Sequence, residues 1–217
     1  MSDKTGRKGE LRSAALKRRS MMDPARCARA GRDLADRLRC LMAPEDRGSA
    51  RGGEGPTVAL FCSLPGEISM QACLTSVFSR GGRVMVPKMG SGGQVGWGLM
   101  KSPEDLNDMH SPGGWRPKEP AGPTLGAQSL ESAGLILVPA LAIDPCGYRL
   151  GRGGGWYDRA LLHRGPNSLA VGICWEEEAV SCNLPREAHD LPVDAIATPS
   201  SFTLTAAGRA RRTDVGS

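Results

Sequence analysis

The chain has 217 residues, 40% of them hydrophobic and 24% charged, with a formal charge of +5. That length and balance suit one globular domain with a sizeable core. They exclude other classes: no run approaches the roughly 18 apolar residues of a membrane span, no apolar stretch follows the basic N-terminus as in a secretory signal, and the basic residues lack the interleaved aromatics of a nucleic-acid face. Seven cysteines (27, 40, 62, 73, 146, 174 and 182) are scattered, odd in number and never spaced as CxxC. They read as reduced thiols, with neither a disulfide framework nor a zinc site. The expectation is a cytoplasmic protein that partners small anionic molecules, without nucleic acid or membrane.

From Lys8 to Leu41 the apolar residues recur near helical spacing, and "MDPAR" divides the segment in two, with Asp23 as N-cap and Pro24 at the first helical position. A polar, glycine-rich loop follows at 43–56. "TVALFC" (57–62) reads as a buried strand, 68–80 as a helix and "GRVMVP" (82–87) as the next strand. Residues 88–130 are the least regular part, with "SPEDLNDM" as a short helix. "GLILVPALAI" (134–143) is the strongest strand signal, and "GWYDRALLHR" should open a helix. "SLAVGIC" (168–174) and "VDAIAT" (193–198) are further strands, and "AAGRARRTDVGS" reads as a flexible tail. Alternation of strands and helices predicts an α/β three-layer sandwich with a largely parallel central sheet. One domain is expected over 1–203, with the helical segment 8–41 packed on it and the tail at 204–217.

Between the strongest strand and the following helix lies "RLGRGGGWYDR", Arg149 to Arg159: three arginines, four glycines, two adjacent aromatics and an aspartate. Gly151, Gly153, Gly154 and Gly155 let backbone N–H groups converge on a ligand without Cβ interference. Arg149 and Arg152 add forked cationic donors, and Asp158 can hold Mg²⁺ bridging phosphate oxygens. Neither GxxxxGK[ST] nor GxGxxG is present. On composition alone, a polyphosphate site and a sharp structural turn stand as equal readings.

The longer stretch "LVPALAIDPCGYRLGRGGGWYDRAL" (137–161) resembles the signature of the 5-formyltetrahydrofolate cyclo-ligase (5,10-methenyltetrahydrofolate synthetase) family, V-P-G-x-A-F-D followed by G-x-R-L-G-x-G-x-G-Y-Y-D. Other pieces match in order: "KGELR" (8–12) is similar to the family's K-x-x-L-R, "LPGEIS" (64–69) to its glutamate-bearing strand-end loop, "WRPKEP" (115–120) to its aromatic-plus-E-P segment, and "LPREAHDLPVDAIAT" (184–198) to its closing segment. The resemblance runs from about residue 8 to 202. Three positions depart from it: Trp156 replaces the first of paired tyrosines, Met70 a threonine and Ile143 a phenylalanine.

The resemblance implies an ATP-dependent ligase that cyclises 5-formyltetrahydrofolate to 5,10-methenyltetrahydrofolate through a phosphorylated formyl intermediate, acting as a monomer with Mg²⁺. It places ATP at Lys8, Arg12 and the stretch Arg149, Leu150, Gly151, Arg152, Gly153, Gly154, Gly155, Trp156 and Tyr157. Arg149 and Arg152 would be catalytic. The folate would meet Cys62, Glu67, Trp115 and residues 152–156, and Asp158 with Asp190 would hold the metal. Plain alternatives accompany these roles. Lys8 and Arg12 can form a solvated helix face, Glu67 a carboxylate at a helix N-terminus, Trp115 core or lid packing, and Asp190 a partner of Arg186 or a turn cap. His189 reads as structural, His110 and His163 carry no signal, and "WEEE" (175–178) reads as a solvated edge. A folate- or nucleotide-binding protein without turnover, and a sugar-phosphate isomerase or CoA-transferase-like enzyme on a related scaffold, are the competing functions.

Overall fold

Asp23 and Pro24 end one helix and start the next, as their chemistry dictates. In this computed structural model, which describes residues 2–42, 55–88, 94–107 and 117–215, α1 spans Ser2–Arg19 and α2 spans Pro24–Leu38. The Asp23 side chain accepts the Ala25 amide at 3.1 Å, and proline at the first helical position gives up an N–H that has no partner there. Cys27, Ala30, Leu34, Ala35 and Leu38 form the buried stripe of α2.

In chain order, β1 (Thr57–Ala59), α3 (Gln71–Phe78), β2 (Arg83–Pro87), β3 (Gly96–Met100), β4 (Leu125–Gly126) and β5 (Leu135–Pro139) follow. Then come β6 (Ala142–Ile143), β7 (Arg149–Leu150), α4 (Trp156–Leu161), β8 (Leu169–Ile173), β9 (Ala195–Ala197), β10 (Phe202–Leu204) and α5 (Ala206–Val215). Eight strands make one sheet in the order β10-β9-β8-β5-β1-β2-β3-β4. The five central strands are parallel, and β10, β3 and β4 join antiparallel at the edges. β6 and β7 form a separate hairpin.

Both faces of the sheet are covered, which is why its strands read as continuous apolar runs rather than alternating ones. Val58, Leu135, Leu137 and Val171 pack with the α2 and α3 side chains Leu34, Leu38, Leu74 and Val77. Their sequence neighbours Ala59, Ile136, Val138 and Ala170 face the other way, onto Leu130 and the α4 residues Ala160 and Leu161. The predicted sandwich is therefore the observed one. α1 lies against the hairpin, with Ala15 packed among Leu141, Leu150 and Leu184.

Boundaries differ where the chain leaves the sheet. The predicted strand 134–143 breaks after Pro139, because Leu141 donates its amide to Leu150 O in the hairpin rather than continuing the ladder. "SPEDLNDM" is not helical over its described part, where Asp105 caps the Lys101 amide and Asn107 bridges Glu119. The residues read as a flexible tail carry the end of β10 and the whole of α5. No helix among the described residues is long and apolar enough to cross a membrane.

The strand order reverses between β1, which leads to β2, and β5, which leads to β8. In open α/β sheets such a reversal leaves a crevice beyond the carboxyl ends of the strands.

Candidate active site

A cleft of about 490 Å³ occupies that crevice. Its floor is Phe61 and Cys62 after β1, Pro87 at the end of β2, and Pro139 with Ala140 after β5. One wall is the α1 stripe of Lys8, Arg12 and Arg19, and the opposite one is the glycine-rich loop running into α4. Glu67 and residues of the 187–190 segment complete it. Phe61 and Cys62 belonged to the predicted first strand, but they leave its ladder to line the cleft.

The loop gets its shape from its glycines. Gly153 and Gly155 have φ of +106° and +60°, a region that L side chains avoid. Gly155 is also the residue before α4, with no capping side chain, so the first amides of that helix are not closed off by a cap. The two loop arginines differ in burial. Arg149, 4% exposed, donates from Nη2 to Asp158 Oδ1 at 2.7 Å and from Nη1 to Leu191 O. Burial pulls its pKa down and Asp158 opposes that. Arg152 is 45% exposed and reaches Glu67 Oε1 at 3.4 Å.

Lys8 donates to Asp190 Oδ2 at 2.9 Å and Glu187 Oε1 at 3.4 Å. Burial works against its ammonium, but the two carboxylates outweigh it and raise its pKa. Arg12 donates Nε to Gly151 O at 2.9 Å. Among the described residues five Lys or Arg cations thus line the cleft, and three are matched by close carboxylates: Lys8 by Asp190, Arg149 by Asp158, and Arg19 by Glu178. Arg12, held by a carbonyl, and Arg152, half-exposed at 3.4 Å from Glu67, carry the charge still available to an anion.

Every site residue named from the sequence lines this one cleft except Trp115, which lies outside the described residues. Lys8 and Arg12 are not a solvated face. Asp190 caps the Glu187 amide at 2.8 Å, as one alternative had it, whereas Arg186 stacks on Tyr148 instead. Trp156 makes edge contacts with Trp97 and Tyr157, ring centroids 5.0 and 4.8 Å apart. Its Nε1 and the Tyr157 hydroxyl are buried without a hydrogen-bond partner among the described residues. Burial, then Cys62 and Glu67, push the Tyr157 phenol well above its usual pKa. Cys62 is pushed up to about 12 by burial, so its thiol stays protonated and is no nucleophile.

Two residues escaped the sequence reading. Arg19 is 5% exposed and pairs with Glu178, which is 1% exposed. "WEEE" is therefore not a solvated edge at its last position, and Trp175 is buried too. One signal was available for Arg19: positions 8, 12, 15 and 19 lie at helical spacing on one face of α1.

Asp158 and Asp190 are linked through the next peptide, Leu191 N donating to Asp158 Oδ1 at 3.3 Å. Each carboxylate leaves its other oxygen without a hydrogen bond among the described residues, and no group of three or more potential ligands converges there. That donor set fits a hard cation taking one or two carboxylate oxygens and the rest from phosphate and water, as Mg²⁺ does.

The family model for 5-formyltetrahydrofolate cyclo-ligases matches residues 4–199. The chain belongs to this family. As a cyclo-ligase family member it is a ligase of folate metabolism by kinship, and the resemblance read from the signature stretch is borne out. The 5-formyltetrahydrofolate cyclo-ligase of Mycolicibacterium smegmatis is 33% identical over 150 residues, covering 67% of this chain and 74% of that protein. The Escherichia coli K12 cyclo-ligase is 32% identical over 147 residues, 66% and 78% of the two chains. Among solved structures, the Aquifex aeolicus 5,10-methenyltetrahydrofolate synthetase aligns with a TM-score of 0.68 at 27% identity, covering 91% of this chain and 92% of that one. The Mycoplasma pneumoniae 5,10-methenyltetrahydrofolate synthetase aligns at 0.63 and 16% identity, over 89% and 99%, a likeness of fold.

Proposed function

We propose that the protein is an ATP-dependent 5-formyltetrahydrofolate cyclo-ligase, closing 5-formyltetrahydrofolate to 5,10-methenyltetrahydrofolate with release of ADP and phosphate. The observation that carries the reading is the placement of the two least committed cations, Arg12 on α1 against the 151–155 loop and Arg152 within that loop, in one cleft with Glu67.

The N5-formyl oxygen is a poor leaving group. Its attack on the γ-phosphorus of ATP breaks the bond to the β-phosphate, releases ADP and leaves an N5-iminium phosphate ester. N10 then adds to the formyl carbon and loses its proton, the C–O bond breaks, and phosphate departs to leave the methenyl bridge. Catalysis of this kind is positioning and charge neutralisation. Arg12, Arg152 and the loop amides would hold the γ-phosphoryl group. Arg149 would act by fixing the loop and Asp158, and Lys8 by closing α1 onto the 187–190 turn. Glu67 would accept hydrogen bonds from the pterin, with Cys62, Trp115 and Trp156 along the folate. Mg²⁺ held by Asp158 and Asp190 would neutralise phosphate charge.

No side-chain nucleophile is needed, consistent with a protonated Cys62 and an exposed His189. An isomerase or transferase would need a free acid/base carboxylate, but Glu67 is tied to Arg19, Arg152 and the Leu64 amide. A cytoplasmic, monomeric enzyme acting on these two small molecules goes with this reading. The test is to mix protein, 5-formyltetrahydrofolate and Mg²⁺ with and without ATP, and follow the methenyl chromophore. The expected result is product formation only with ATP; no ATP-dependent signal overturns the reading.

A further inference from the structure

Glu67 sits at the tip of the loop that follows β1, and that loop is gripped from behind by two elements distant in the chain. The first is the C-terminal end of α1. Gly66, at φ +79°, passes so close to it that a Cβ would lie 2.1 Å from Arg19 O. The second is the turn after β8, where Trp175 Nε1 donates to Gly66 O at 3.0 Å. The backbone before Glu67 is thus pinned between the two.

The side chains repeat that arrangement. Arg19 Nε and Nη2 form a fork onto Glu178, at 2.9 and 2.7 Å, and Nη2 also donates to Ala140 O at the end of β5. Nη1 donates to Glu67 Oε1 at 3.2 Å. Glu178 in turn accepts the Trp175 amide at 3.0 Å. The guanidinium is therefore immobilised by Glu178 and the sheet, and offers its remaining nitrogen to Glu67.

Stability alone does not account for this. Apolar residues of equal volume commonly do as well as a buried ion pair, whose desolvation cancels its attraction. Nor does Arg152 make Arg19 redundant. The functional reading gives Arg152 the phosphates to serve as well, through a long 3.4 Å contact to Glu67 from a half-exposed side chain, whereas Arg19 is buried and fixed by Glu178 and Ala140 O. Burial pushes the Glu67 carboxyl upward against its Leu64, Arg19 and Arg152 contacts, and those two arginines are its charged partners among the described residues.

We infer that Arg19, braced by Glu178, is a positioning residue for the cyclisation: it fixes the Glu67 carboxylate at the folate end of the cleft, independently of the nucleotide. The inference rests on the functional reading above, in which Glu67 meets the folate.

Arg19→Lys keeps one positive charge but cannot fork onto Glu178 and reach Glu67 together. Glu178→Gln keeps shape and removes the charge that braces the guanidinium. Each is expected to raise the KM for 5-formyltetrahydrofolate about tenfold, or about 1.4 kcal/mol, with the KM for ATP within about twofold. Glu67→Gln should raise the same KM, and Arg19→Lys combined with it should add nothing further, since Arg19 acts through Glu67. Equal rises in both KM values, or additive losses in the double variant, would overturn the inference while leaving the activity standing. If Arg19→Lys does not fold, Glu178→Gln alone decides, and an unchanged folate KM overturns the inference. A wild-type protein without ATP-dependent turnover overturns the functional reading, and the inference with it.

Discussion

Arg149 and Arg152 are three positions apart, yet they sit in different surroundings. Arg149 is 4% exposed and committed to Asp158 and Leu191 O; Arg152 is 45% exposed and meets Glu67 at 3.4 Å. Truncating one partner of a buried ion pair strands the other, at a cost of about 3–5 kcal/mol, whereas an exposed pair contributes about 0–1 kcal/mol. Arg149→Ala should therefore lower the melting temperature markedly, and Arg152→Ala should hardly move it while reducing kcat about 100-fold or more, the scale of losing one donor to developing charge. Thermal melts beside turnover numbers check both. An Arg152→Ala enzyme with near-normal kcat would remove that residue from the reaction. The family-like stretch also contains a residue that organises the backbone. Asp144, 1% exposed, accepts the Cys146, Tyr148 and Leu184 amides and so shapes the hairpin that delivers Arg149. Trp156 keeps an aromatic edge where the family signature has tyrosine, and it packs against Trp97 in the core.

At the scale of elements, α1 matters beyond its length because Lys8, Arg12 and Arg19 all reach the cleft from it. Its apolar anchor is small: Ala15, 1% exposed, with Leu141, Leu150 and Leu184 around it. Ala15→Glu puts an unpaired charge into that contact. Activity is expected to fall at least about 100-fold, roughly the effect of a misplaced catalytic group, while the cooperative unfolding transition of the sheet is retained by circular dichroism. Loss of that transition would show that α1 is integral to the fold. Much of this layer was readable in advance, since capping residues, periodic apolar stripes and apolar runs are local signals. What was not readable is pairing across the chain. "TVALFC" is apolar from Val58 onward, and apolarity does not separate a strand residue such as Val58 from a cleft-lining one such as Phe61. "WEEE" looks solvated because the partner of Glu178 is 159 positions away. "AAGRARRTDVGS" has few apolar residues, and α5 is held instead by hydrogen bonds and an ion pair, including Arg211 to Asp194 at 3.6 Å. Lys8, Arg12, Glu67 and the loop were found by their motifs, whereas Arg19 belongs to none.

The whole molecule is closed at its far edge by Asp194, which the sequence presented only as part of a matching segment. It is 3% exposed, accepts the Ala170 amide at 2.9 Å and Arg164 at 3.0 Å, and ties β8, β9, the end of α4 and α5 together. Asp194→Ala should cost about 3 kcal/mol, which for a chain of this size lowers the melting temperature by roughly 6–12 °C. The kcat of the folded fraction should stay near that of wild type, because the side-chain partners of this aspartate among the described residues, Ala170, Arg164 and Arg211, lie outside the cleft lining. A selective loss of turnover without a shift in melting would contradict that division. The separation of α1 from its partners has a consequence for how the protein comes into being. Lys8 finds Asp190 across 182 positions, and Arg12 finds Gly151 across 139. At about 5–20 residues per second of synthesis, the first helix emerges from the ribosome roughly 10–35 s before the turn that receives Lys8. Most of a helix's stability in a protein comes from tertiary packing, so the 18-residue α1 lacks its main support until those partners emerge. The cleft cannot close before the 187–190 turn has been made.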